Sequence, residues 1–206
     1  MYLFNEDMPA PACPDLLIKQ TKQQALAGFS SLLQHGIVVH IDRPVTLVPF
    51  LLDLPGFSEE YIEKTVQTVF IDGVAADSLD RTLPPGTTLA LSAAMPGLAG
   101  AIFRRQGLHG SLRSHTRKKP AAPTEQSGFI TLKLFNMIAA DRIRDLLEHG
   151  ICVTGSSFVA FAANRDALLQ PPAVLLLDHK PVSPGELLQV AATQPLLAVR
   201  ANLLAG

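Results

Sequence analysis

Charge is scarce in this chain and of no dominant sign. Seventeen Lys and Arg stand against eighteen Asp and Glu, a net of −1 with only 17% charged residues, so no global field draws the protein toward nucleic acid or an anionic membrane surface. Cysteine is nearly absent: Cys13 and Cys152 allow at most one disulfide, and nothing in that count requires an oxidising compartment. No long hydrophobic run survives unbroken. The longest uncharged stretch that resembles one ends in Phe103, and Pro84, Pro85, Gly86, Pro96, Gly97 and Gly100 interrupt it, which reads as a strand followed by a loop and not as a membrane span. Met1 to Pro14 lacks a basic start and carries Glu6 and Asp7, so no secretory signal is expected there and the cytoplasm is the expected location. Missing as well are Cys-x-x-Cys, His-Glu-x-x-His, Gly-x-Ser-x-Gly and an acidic calcium loop, which removes the warrant for naming a standard catalytic or metal chemistry.

What is present is a folded, apolar chain. With 206 residues, 48% of them hydrophobic, and a mean hydropathy of +0.25, it can bury a sizeable core and still have apolar surface to hide in an interface or a ligand groove. Its organisation is marked by an internal likeness. Ser31 to Val39 and Asp145 to Val153 share six identities in nine ungapped positions, centred on Leu32-Leu33-Gln34-His35-Gly36-Ile37 and Leu146-Leu147-Glu148-His149-Gly150-Ile151. Phe70-Ile71-Asp72 and Leu176-Leu177-Asp178 then follow in the same order, as do Pro85-Gly86 and Pro184-Gly185. An internal duplication is therefore expected. The boundaries are an N-terminal arm over 1–14, a first repeat over 15–110, a basic Pro- and Ser-containing linker over 111–127 and a second repeat over 128–206.

Each copy opens on a short strand, Leu16 to Lys19 or Phe129 to Leu134, followed by a helix. Ala25, Leu26, Phe29, Leu32 and Leu33 fall on one helical face, as do Ile138, Ala139, Ile143, Leu146 and Leu147. Thr21-Lys22-Gln23-Gln24 suits a capping box, and Asn136 suits a cap for the second helix. The shared His-Gly closes each helix, glycine turning left-handed and histidine meeting terminal carbonyls. Strands Ile37 to Ile41 and Ile151 to Thr154 come next, suggesting a crossover unit within a mixed sheet. A second helix (Thr46 to Leu54, or Phe158 to Leu169) precedes two more strands, Val66 to Asp72 with Thr87 to Ser92, and Val174 to Asp178 with Glu186 to Ala191. The expected class is α+β: a duplicated strand-helix-strand-(helix)-strand-strand unit with mixed sheets in a pseudo-twofold arrangement.

The run Val69-Phe70-Ile71-Asp72-Gly73-Val74, followed by Leu83-Pro84-Pro85-Gly86-Thr87-Thr88-Leu89-Ala90-Leu91, resembles the late hairpin of β-grasp domains and is similar to hairpins of small S4-type RNA-binding domains. The resemblance covers about thirty residues of each copy, and turn geometry alone selects many of those positions. β-Grasp sulfur carriers end in a free Gly-Gly that becomes a thiocarboxylate. This chain departs from them, running on through Met95-Pro96-Gly97-Leu98-Ala99-Gly100 and ending in Leu204-Ala205-Gly206.

Several residues are candidates for chemistry. Asp72 and Asp178 follow equivalent strands; each suits a turn that bonds nearby amides, or the two form a carboxylate pair. Cys152 stands where the first copy has Val38, the place of a small buried hydrophobe more than of a nucleophile. His40 and His179 face Thr154 and Gly73 and so lie outside the shared framework. Gly155-Ser156-Ser157 reads as a turn, and Asp141, Arg142, Arg144 and Asp145 as a salt-bridged helix face. The strongest charge feature is Arg104, Arg105, Arg113, Arg117, Lys118 and Lys119, with His109 and His115 between them and no acid from Ala101 to Pro123. Eleven basic residues against eighteen acidic ones remain elsewhere. Gly97 and Gly100 before Arg104 and Arg105 could form an anion site; Arg113, Arg117, Lys118 and Lys119 form a basic patch. Only Phe103 and Phe129 lie at its edges for base stacking, which disfavours nucleic acid. The favoured function is a non-catalytic ligand-binding or protein-assembly module, with a protein partner or self-association and a small anionic ligand in view. No cofactor, metal or membrane is expected. The alternative is an enzyme of unrecognised type with its site between the repeats.

Overall fold

The computed structural model describes residues 13–93 and 126–203. The class is α+β. No described helix is long and apolar enough to cross a membrane. The chain divides into two compact units, one running from Val39 to Ile138 and the other joining the residues up to Val38 with those from Ala139 onward.

The first unit holds a five-stranded sheet ordered β2-β8-β7-β4-β5, made of Ile37–Ile41 (β2), Gly128–Phe135 (β8), Thr88–Ser92 (β7), Thr68–Ile71 (β4) and Val74–Ala75 (β5). β7 and β8 are parallel, with Leu89 opposite Leu132 and Leu91 opposite Leu134; alternation on both strands buries Leu89, Leu91, Ile130, Leu132 and Leu134 on one face. A two-stranded ribbon of Val45–Thr46 (β3) with Thr82–Leu83 (β6) stands apart from that sheet. Two short helices, Leu47–Leu52 (α3) and Glu59–Thr65 (α4), bury Leu47, Phe50, Leu51 and Ile62. The composition of α4 shows why it starts where it does. Ser58 accepts a hydrogen bond from the Tyr61 amide at 3.2 Å, and Glu59 and Glu60 occupy the positive end of the helix dipole.

The second unit has its own five-stranded sheet, β11-β10-β1-β12-β9. Its members are Asp15–Gln20 (β1), Ile151–Thr154 (β9), Val174–Leu177 (β10), Lys180–Pro181 (β11) and Leu196–Leu203 (β12). β1 is central, antiparallel to β10 and parallel to β12. Around it lie Gln23–Ala27 (α1), Ser30–His35 (α2), the second-unit part of Asn136–His149 (α5), Gly155–Arg165 (α6) and Pro184–Thr193 (α7). Phe29 stacks at 5.3 Å, centroid to centroid, on Phe161, which also meets Phe158, and these rings join Leu16, Ile18, Leu32 and Leu33 among the fully buried side chains.

Each sheet therefore draws on both halves of the sequence. β8 sits between β2 and β7, and β1 between β10 and β12. This corrects the expected crossover within one sheet: β1 and β2 flank α1 and α2 but belong to different sheets, as do β8 and β9 flanking α5. Period-two alternation shows that a strand buries one face and leaves its neighbour unspecified.

Three further expectations change. Glu186 to Ala191 is helical, inside α7, because Ser183 and Glu186 form a complete capping box with Pro184 in the first turn; the strand is β12. Gly155-Ser156-Ser157 opens α6 instead of forming a free turn, the Thr154 hydroxyl accepting from the Ser157 amide at 3.1 Å. The first helix is split, and its N-cap is Lys22 without a side-chain cap bond, so the expected box around Thr21 is not formed. Asn136 takes φ of 52°, and its side-chain amide donates to the Ser92 hydroxyl at 2.8 Å.

Candidate functional site

The expected carboxylates lie in different units and do the same job in each. Asp72 and Gly73 form the two-residue turn between β4 and β5 with φ of 50° and 78°; Asp178 and His179 form the one between β10 and β11 with φ of 48° and 65°. These are left-handed turns of the kind that matches strand twist. Asp72 bonds Thr88 twice, its amide donating to the Thr88 carbonyl and its Oδ1 accepting from the Thr88 amide, both at 2.8 Å. Asp178 treats Asp15 in the same way, with both distances 2.9 Å. Each aspartate thus pins the start of the strand beside its hairpin, β7 in one sheet and β1 in the other.

The histidines at the helix ends meet their expected structural role most clearly at His149, whose Nδ1–H donates to the Asp145 carbonyl at 2.8 Å, while Gly150 turns at φ of 97°. Gly36 turns at 115° after His35. His40 meets Phe129 edge-on at 5.3 Å, with Nδ1 at 3.6 Å from Asp42 Oδ1. Arg142 pairs with Asp145 at 3.2 Å and Arg144 with Glu148 at 2.8 Å, as the charged helix face required. Gly97, Gly100, Arg104, Arg105, Arg113, Arg117, Lys118 and Lys119 lie outside the described residues. An open depression of 780 Å³ in the first unit is lined by Thr46, Val48, Pro49, Asp77, Ser78, Leu79 and Asp80; none of the expected site residues contributes to it.

Sequence reasoning missed a convergence at the start of β1. Asp15 there carries the two bonds to Asp178 and an ion pair with Arg200 of β12. Just before it, the Pro14 carbonyl accepts from the Ala198 amide at 3.0 Å, and Ala198 is the cross-strand partner of Cys152 on β9. The peptide that follows Cys13 is therefore fastened to the residue opposite Cys152. Both cysteines are free thiols. Burial pushes the Cys152 thiol up to about 12, with the neighbouring Cys13 adding to the rise. Burial also raises Cys13, against which the Ala198 backbone and the Cys152 S–H work by stabilising its thiolate. Cys13 is half-buried and Cys152 buried. No sequence signal marked this convergence, since no spacing rule relates Pro14, Cys152 and Ala198.

No protein-family model, curated protein or solved structure matches the chain.

Proposed function

We propose that this protein is a non-catalytic binding and assembly module that works through apolar surface and self-association. The observation that carries the reading is the use made of its framework carboxylates: Asp72 and Asp178 are each committed to backbone amides of an adjoining strand, the structural use of an acceptor and not the poised state of a general base. Surface composition supports it. Met137 is 61% exposed and Phe129 41%, in a chain of mean hydropathy +0.25, and apolar side chains at a surface are candidates for burial in an interface. Both mixed sheets also end in strands, β2 and β5 or β9 and β11, whose outer backbone groups suit pairing with an added strand. The matching Asp72-Gly73 and Asp178-His179 turns favour the internal duplication.

Sedimentation velocity across a concentration series tests the reading. The expected result is a species heavier than the 22.1 kDa monomer whose population grows with concentration. A monomer throughout, with no small molecule retained in native mass spectrometry, contradicts it.

A second reading has its own support in the segregation of charge: six of seventeen cations lie between residues 104 and 119, without an acid among them. It predicts polyanion binding that weakens steeply with salt and disappears on neutralising those six residues.

A further inference from the structure

We infer that the first unit binds one small oxyanion of the phosphate class at the carboxyl ends of β7 and β8, where the Thr68 and Ser92 hydroxyls meet the N-terminus of α5. β7 and β8 are adjacent and parallel, and the carboxyl ends of such strands are where a following helix turns its unpaired amides toward the sheet. α5 starts there without a loop: Phe135 is the last residue of β8 and Asn136 the first of the helix. Its opening residues, through Ile138, belong to the first unit. Their amides have no partners inside the helix, and the first turn of this fourteen-residue helix holds no acid to offset the positive end of its dipole.

Thr68 supplies the independent sign of a ligand. It is 1% exposed, and its Oγ1 is buried without a hydrogen-bond partner among the described residues, which costs free energy unless another group meets the hydroxyl. Thr68 and Ser92 are direct partners in the β4–β7 ladder, so their side chains stand on one face of the sheet. Ser92, also buried, accepts the Asn136 side-chain amide at 2.8 Å, and its own O–H is left to donate. Ser92 is in turn the partner of Phe135 in the β7–β8 ladder. Thr68 therefore lies two strand spacings, about 10 Å, from the strand end that opens α5. An oxyanion with a hydrogen bond on either side spans roughly 8 Å; seated over Ser92, it meets the Thr68 hydroxyl on one flank and the α5 amides on the other. Burial keeps water from competing for those bonds. The sequence that follows β7 brings no competing carboxylate, since no Asp or Glu occurs between Asp80 and Glu125.

The test is calorimetric titration of the whole protein with inorganic phosphate, against sodium chloride of equal ionic strength, with Thr68→Val and Ser92→Ala alongside. Thr68→Val keeps the shape of the buried side chain and removes only its hydroxyl. The expected result is saturable binding of phosphate at one site per chain, a melting temperature of the wild type that rises with phosphate, and affinity weakened roughly tenfold or more in each variant. Without phosphate, Thr68→Val should melt no lower than the wild type, because an unpaired buried hydroxyl is gone. Methyl phosphate run in parallel separates the two sources of the group: binding as tight as that of phosphate assigns the end of a phosphomonoester, and its exclusion assigns the free ion. No heat beyond that of chloride, or phosphate binding as tight in both variants as in the wild type, would overturn the inference. So would binding that is lost only when the six cations between residues 104 and 119 are neutralised. The outcome is independent of self-association, which the sedimentation series reads separately.

Discussion

His179 holds φ of 65° at the tip of the β10–β11 turn, where the β4–β5 turn has Gly73 at 78°. A histidine carries a steric penalty in that region which glycine does not, so His179→Gly should stabilise the second unit by about 0.5 kcal/mol, after the greater backbone entropy glycine gives the unfolded chain is set against the relieved strain. Urea denaturation checks it, and a lower midpoint would show that the histidine side chain contributes more than its backbone costs. Asp178 beside it was legible as a turn residue from the sequence; its grip on Asp15 was not, because that partner is brought near only by the sheet. Cys152 offers a pH test at the same scale. Its thiol titrates at 9.0 ordinarily and at about 12 in the fold. Above 9 the unfolded chain releases this proton while the folded chain keeps it, so the stability tied to the neutral thiol is complete below pH 9 and falls as pH rises from 9 toward 12. Under reducing conditions, unfolding free energy should decline over that window more steeply in the wild type than in Cys152→Val; equal slopes would contradict burial of the thiol.

Among the elements, α7 depends on its first turn and α6 on a missing side chain. Ser183→Ala removes the acceptor for the Glu186 amide and should destabilise the second unit by about 1 kcal/mol. Gly155 opens α6 where an added Cβ would meet the carbonyl oxygens of Ala191 and Gln194 in and after α7. Since backbone cannot yield as a side chain does, Gly155→Ala should cost roughly 3 kcal/mol. Thermal melts of the two variants rank these effects, and a harmless Gly155→Ala would mean that α6 and α7 pack less closely than described. Strands β1, β2, β4, β7, β8 and β9 could be read from alternation and β-branched content, because those signals are local. The helix α7 was legible too, in Ser183, Pro184 and Glu186, but an apparent match of Pro184-Gly185 to Pro85-Gly86 drew attention to a strand. The anchoring of the chain beside Cys13 was beyond reach: Cys13 was expected in an arm, and only the sheet fastens the neighbouring Pro14 to Ala198 of β12.

At the level of the whole molecule, the α+β class followed from local patterns, whereas the assembly of the sheets did not. A central strand of each sheet comes from the other half of the sequence, β8 between β2 and β7 and β1 between β10 and β12. Removing a central strand breaks two ladders at once and exposes the buried faces beside it, Leu89 and Leu91 in one sheet and Leu197 and Val199 in the other. Such a loss exceeds what a domain of this size can sustain. The most direct measurement is therefore cooperative unfolding, followed by circular dichroism, of residues 1–125 and 126–206 produced separately and then mixed. The structure predicts no cooperative transition in either piece alone and its recovery on mixing; a sharp transition in one isolated piece would contradict the exchange of central strands.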